Sequence, residues 1–176
     1  MIMLYQIKGY SQRNITFTIN DVSFEMIFVE GGTFVMGCTS EQPSCFPGER
    51  PTHKVTLTDF YMSEFIVTQK LWVTVMGTNV RQQWLAYNPN FRLGEFTAED
   101  YSKVIALNGV GDNYPMYFIS YSDCELFCKR LSKLLTDQIP EGFEFRIPTE
   151  AQWEYSARGG KRVKAISTAE VIILVK

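Results

Sequence analysis

Four cysteines, one histidine and a pair of glutamates one helical turn apart are the side chains of this 176-residue chain whose types and spacing could do chemistry. The cysteines fall into two pairs, Cys38 with Cys45 and Cys124 with Cys128. Neither pair resembles a zinc framework, which needs two ligand pairs at C-x-x-C-like spacing. Cys124 and Cys128 stand at i and i+4 of a helical pattern that also carries Phe127, Leu131, Leu134 and Leu135. They read as core packing, since free cysteine is among the most buried residue types. An apolar face also disfavours the thiolate that nucleophilic or copper chemistry requires. Cys38 and Cys45 flank the polar loop Thr-Ser-Glu-Gln-Pro-Ser, which suits either a disulfide or exposed thiols and leaves the redox compartment open.

His53 is the only histidine, so any Ser-His or Cys-His scheme must use it. It shares its alternation with Val55 and Leu57, against Lys54, Thr56 and Thr58, and is expected to point inward as a packed, hydrogen-bonded residue. Glu150 and Glu154 lie i,i+4 on one helix and are expected to pair with Arg146 or Arg158; as an acid–base pair they have no partner nucleophile. No catalytic, cofactor-binding or metal-binding residue is assigned from these patterns.

The elements that must position these groups are legible in places. Phe24 to Val29 and Thr33 to Gly37 are β-prone runs around Glu30-Gly31-Gly32, which predicts a hairpin. The alternation over His53 to Leu57 predicts a half-buried strand. Thr68 caps a helix with an apolar face of Leu71, Trp72, Val75 and Met76, closed by Gly77. From Thr78 to Phe118 no period is sustained, so a long irregular segment is expected. Ser122-x-x-Glu125 predicts a capping box for the helix that carries Cys124 and Cys128, and Thr149-x-x-Gln152 a second one for a helix ending at Gly159-Gly160.

Lys and Arg number 17 against 19 Asp and Glu, a net charge of −2, which argues against a nucleic-acid partner. Charged residues at 20% and aromatics at 14% exclude disorder as the dominant state. No apolar run approaches the roughly 18 residues of a membrane span. The start, MIMLYQIKGYSQRN, lacks the charged and apolar regions of a signal peptide, so a cytoplasmic location is the default expectation. The length suits one domain or part of a larger one.

Several short motifs follow one another in a fixed order. They are Val29-Glu30-Gly31-Gly32-Thr33-Phe34 and Met36-Gly37; Glu49 with Pro51, His53 and Val55; Phe60-Tyr61; Val67-Thr68 leading to Trp72 and Met76-Gly77. Then come Asn113-Tyr114-Pro115, Ser120-Tyr121-Ser122-Asp123, and Phe127-Cys128 with Leu131-Ser132. Last is Arg146-Ile147-Pro148-Thr149-Glu150-Ala151-Gln152-Trp153-Glu154-Tyr155, with Ala157-Arg158-Gly159-Gly160. In this order the chain resembles the formylglycine-generating enzyme or sulfatase-modifying factor family. Tyr121, Ile147 and Gln152 stand where the family usually has Trp, Leu and Glu, changes that conserve volume. The stretch Phe96 to Ala106 reads as an insertion, and Gln82 to Asn113 as a solvated insertion in preference to a partner-binding surface.

The resemblance implies an irregular, loop-rich α+β fold related to C-type lectins, here incomplete. It divides the chain into an N-terminal segment, residues 1–22, the N-terminal part of the family domain, 23–160, and a non-family tail, 161–176. Full-length relatives oxidise a sulfatase cysteine to formylglycine, using two cysteines of their second half to bind copper(I). Copper is therefore implied only for those relatives, and a polypeptide substrate only for an intact one. This chain is expected to be truncated and inactive, with no cofactor of its own and no calcium site assigned. A non-enzymatic ligand- or protein-binding module on the same fold is the alternative, since fold alone does not decide function. The last residues, AISTAEVIILVK, can be back-translated with chosen codons and read one base earlier as GYKYSGSNNIGE, a family-like continuation, so a frameshift near Lys164 is expected. Within that tail Val171-Ile172-Ile173-Leu174-Val175 is an uncharged β-prone run of the aggregating kind.

Overall fold

The computed structural model describes residues 14–40, 44–87, 97–160 and 173–175. The first strands, β1 (Ile15–Ile19) and β2 (Val22–Val29), form an antiparallel pair with Ile19 opposite Val22. The turn between them puts Asn20 at φ 53°, a left-handed conformation that asparagine tolerates better than most residues. Period-two alternation places Phe17, Val22 and Met26 in the core, and Phe17 stacks on Phe24 with ring centroids 5.6 Å apart.

The glycine turn after β2 does not close a hairpin. β3 (Gly32–Met36) pairs with β4 (His53–Leu57) in a separate two-stranded sheet, while β2 pairs with β5 (Phe60–Ser63). Gly31 makes the redirection possible: a Cβ there would lie 2.3 Å from the Leu57 carbonyl oxygen and 2.5 Å from the Thr58 carbonyl carbon. Its N–H donates to Asp59 Oδ1 at 2.8 Å. The turn is thus pressed against the β4–β5 connection, and tertiary pairing overrides sequence adjacency. Gly31→Ala is expected to force a backbone shift costing about 1–3 kcal/mol, measured as a lower midpoint in urea unfolding.

The strand over His53 to Leu57 forms as expected, with Val55 and Leu57 half-buried. His53 departs from expectation. It sits at the strand's outer end opposite Met36, exposed, with Nδ1 3.4 Å from the Pro51 carbonyl oxygen. Among the described residues β3 is the one strand paired with β4, and His53 at that end stays exposed.

Helix α1 (Gln69–Met76) is capped by Thr68, whose Oγ1 accepts from the Leu71 N–H, and ends at Gly77 with φ 76°. Its buried face holds Leu71, Trp72 and Val75. The stretch read as irregular contains two further helices, α2 (Val80–Tyr87) and α3 (Ala98–Asn108). Both lack a strong apolar stripe, and α3 buries no residue fully, which is why periodicity missed them. Capping builds them instead: Asn79 and Gln82 exchange hydrogen bonds of 2.8 and 3.0 Å, and Thr97 and Asp100 form a full capping box. Trp84 and Tyr101 hold α2 and α3 together, their rings 5.1 Å apart.

Helix α4 (Tyr121–Leu134) starts one residue before Ser122, so the box falls on Ser120 and Asp123. Ser120 Oγ accepts from the Asp123 N–H at 3.1 Å, and Asp123 Oδ2 accepts from the Ser120 N–H at 2.9 Å. That backbone hydrogen bond holds the Asp123 carboxyl below its usual range. β6 (Glu144–Arg146) then leads to α5 (Glu150–Ala157), whose Thr149–Gln152 box is as expected.

The larger sheet has the order β1-β2-β5-β7-β6, where β7 is Ile173–Val175. The end of the apolar run is therefore flanked on both sides, and Ile173 is buried. Val171 and Ile172 lie outside the described residues. The main core packs Phe17, Met26, Leu71, Trp72, Met116, Phe127, Leu131 and Phe145, and a second cluster joins Val29, Phe60, Met62, Tyr155 and Ile173. The result is the expected α+β class. Among the described residues no helix is long and apolar enough to cross a membrane.

Candidate functional site

Side chains from motifs more than a hundred residues apart meet where α5 faces the end of β3. Glu154 and Arg158 stand one turn apart on α5 and form an ion pair at 2.8 Å, both less than a third exposed. Glu154 Oε1 also accepts from the Gly37 N–H at 2.9 Å. Arg158 returns the contact: Nη2 donates to the Gly37 carbonyl at 2.7 Å and Nη1 to Thr39 Oγ1 at 3.1 Å. The planar guanidinium fork suits such multiple recognition, which a lysine could not reproduce. Gly37 has φ 100°, and a Cβ on it would lie 2.6 Å from the Glu49 carbonyl oxygen. Only glycine fits that approach. One residue along α5, the Tyr155 hydroxyl donates to the Glu30 carbonyl at 3.0 Å and its ring packs on Phe34.

The clamped segment carries the first cysteine pair. Cys38 and Cys45 form a disulfide with Cα atoms 5.8 Å apart, which decides between the alternatives the sequence left open. The Cys38 N–H donates to the Glu49 carbonyl at 2.9 Å, so the loop returns on itself through a short 3-10 turn at Pro47–Glu49. Beside the disulfide lies an open cavity of about 690 Å³ lined by Cys38, Thr39, Ser44, Cys45, Arg50 and Thr52. Glu49 Oε2 is shielded from solvent and has no hydrogen-bond partner among the described residues.

The other sequence candidates do not join this site. Cys128 is buried on α4, where desolvation pushes its thiol up to about 12, and Cys124 is half-buried. Cys128 supplies no thiolate at neutral pH from that face. Glu150 is exposed in the first turn of α5, where its charge suits the helix N-terminus. Arg146 pairs with Glu144 on its own strand.

Sequence reasoning also missed Gln69. It is buried in the first turn of α1, where Nε2 donates to the Gly109 and Pro115 carbonyls at 3.1 and 2.9 Å and Oε1 accepts from the Gly111 N–H at 3.0 Å. With the backbone bonds from Gln69 to Tyr114 and from Met116 to Val67, it ties the Asn-Tyr-Pro motif to the start of α1. An amide directly after a threonine cap was the only signal available.

The arrangement clamps and positions; among the described residues it places no nucleophile beside a base. Comparison with known proteins agrees with the order of the motifs. The family model described as sulfatase-modifying factor enzyme 1-like domain matches residues 17–171. The chain is 32% identical over 145 residues to the chaperone protein LppX of Paenibacillus barcinonensis, covering 80% of this chain and 48% of that protein. It is 25% identical over 167 residues to the formylglycine-generating enzyme of Thermomonospora curvata, covering 80% of this chain and 50% of that protein. It thus spans about half the length of both curated relatives. Among solved structures, Treponema denticola variable protein 1 superposes with a TM-score of 0.57 at 22% identity, covering 84% of this chain and 57% of that one, a likeness of fold.

Proposed function

The chain belongs to the sulfatase-modifying factor enzyme 1-like domain family, and from that premise we propose that it supplies the N-terminal scaffold of a formylglycine-generating-type domain without performing the oxidation itself. Full-length relatives of this type convert a sulfatase cysteine to formylglycine. The observation that carries the proposal is the state of the cysteines. Cys38 and Cys45 are joined in a disulfide, and Cys128 sits on an apolar helix face with its thiol raised to about 12. Copper(I) wants a pair of soft thiolates, and with the Cys38–Cys45 disulfide closed neither pair offers one. The scaffold's part is to fix the Gly37–Cys38 segment against α5 through Glu154 and Arg158.

The test is incubation of the purified chain with copper(I), oxygen and a Cys-x-Pro-x-Arg peptide, read by mass spectrometry. The expected result is unchanged peptide, and accumulation of the aldehyde product would overturn the reading. The same peptide separates a second reading, a non-enzymatic binding module, favoured by the cavity beside the disulfide and by the 32% identical relative's being named a chaperone. Saturable peptide binding without conversion would select it. The proposal also reads residues 161–176 as a frameshifted replacement of the family continuation. Sequencing the coding DNA tests this, and an alternative frame that stops at once without family motifs would contradict it.

A further inference from the structure

We propose that Cys38, Cys45 and Glu49 form a redox-gated site for a borderline-soft divalent cation of the zinc type. The two sulfurs and a carboxylate oxygen of Glu49 all lie within 4.8 Å of one another. A zinc ion binds thiolate sulfur at about 2.3 Å, so two sulfurs on one tetrahedral ion stand about 3.8 Å apart. With Cα atoms 5.8 Å apart, the cysteines reach that spacing by side-chain rotation, without backbone movement.

A second observation points the same way. Glu49 Oε2 is withdrawn from solvent and lacks a partner among the described residues, an arrangement that costs free energy unless something satisfies it. A cation held by both sulfurs would do so. Two thiolates with one carboxylate select a zinc-like ion over calcium or magnesium, which prefer sets made of oxygen. The cavity lined by Cys38 and Cys45 gives room for water or a donor from a bound molecule as the fourth ligand. The clamp from Glu154 and Arg158 onto Gly37 holds the Cys38 backbone in place in either redox state.

The gate is the disulfide. A dithiol reductant delivers two electrons and two protons, breaking the Cys38–Cys45 bond to give two thiols while the reductant closes its own disulfide. The cation then displaces both thiol protons as it binds. An oxidant of the disulfide class reverses the step: it accepts the two electrons and is reduced to its dithiol while the Cys38–Cys45 bond re-forms and the cation is released.

The experiment titrates cobalt(II), as a zinc surrogate with a visible spectrum, into the full chain reduced under anaerobic conditions. The expected result is a thiolate-to-cobalt charge-transfer band saturating at one ion per chain, bleached by zinc and absent from the oxidised chain. Cys38→Ser removes the band. Glu49→Gln keeps both thiols and weakens binding by roughly tenfold or more. No band in the reduced chain, a band that survives Cys38→Ser, or unchanged affinity in Glu49→Gln would each overturn the proposal. Glu49→Gln leaves the disulfide and the Glu49 carbonyl contact in place, so it reads the site even where Cys38→Ser does not fold.

Discussion

Trp72→Ala is expected to lower stability by about 3–5 kcal/mol, a large share of the roughly 5–15 kcal/mol that a domain of this size commands. Trp72 is 1% exposed and lies parallel to Phe127 of α4, the rings 5.2 Å apart with 1° between their planes. This stack helps fasten α1 to α4, beside the hydrogen bond from Arg130 Nη1 to the Met76 carbonyl. Its indole Nε1–H donates to Thr78 Oγ1 at 3.1 Å, so the side chain is satisfied at its polar end as well as packed along its faces. Alanine would leave a cavity between two helices whose backbones are held elsewhere, by Gln69 on one side and the Ser120 box on the other. Trp72→Phe keeps an aromatic stack and is expected to recover more than half of the loss. Urea unfolding of the three chains measures this, and a loss below about 1 kcal/mol for the alanine variant would mean that the core is not built on the stack.

Arg158→Ala is expected to cost about 2–3 kcal/mol. Breaking a buried ion pair by removing one partner typically costs about 3–5 kcal/mol, and the lower figure reflects side chains 27% and 21% exposed. The loss has three parts: the Glu154 carboxylate without its counter-ion, the Gly37 carbonyl without its donor, and Thr39 without its contact to the guanidinium. Arg158→Lys restores the charge and not the fork, so it should recover less than half. Comparing Arg158→Ala with Glu154→Gln separates charge from geometry, because the glutamine still offers an oxygen to the Gly37 N–H. Thermal unfolding in low and high salt reads the difference; equal stability of Arg158→Ala and the parent chain would remove the clamp from the account.

The caps and strands with the plainest local logic were legible in the sequence: Thr68 and Gly77 around α1, the Thr149–Gln152 box, and the alternation of Val55 and Leu57. The failures have two causes, contacts distant in sequence and helices marked by local capping instead of an apolar stripe. Gly31 looked like a hairpin turn, yet its neighbours are Leu57 to Asp59, which send β2 and β3 into different sheets. His53 alternated correctly, but its inward position meant nothing at a strand end with one neighbour. The α2 and α3 helices rest on capping and on a few core contacts, Val80 and the Trp84–Tyr101 pair among them, so apolar period was the wrong signal for them. At the site, Glu154 and Arg158 were read as an intrahelical pair, which they are. That the pair also grips Gly37 and Thr39, and that Glu49 comes to lie against the disulfide, arises only from the packing of α5 on the smaller sheet.

The central claim is that α5 holds the disulfide-bearing loop, and amide hydrogen exchange at Gly37 and Cys38 tests it most directly. Both amides are hydrogen-bonded, to the Glu154 carboxylate and to the Glu49 carbonyl. The account predicts slow exchange at both positions in the parent chain. In Glu154→Ala it predicts fast exchange at Gly37, with the amides pairing β1 and β2 unchanged. Exchange at Gly37 as fast as in an exposed loop of the parent chain, or protection that survives Glu154→Ala, would contradict it.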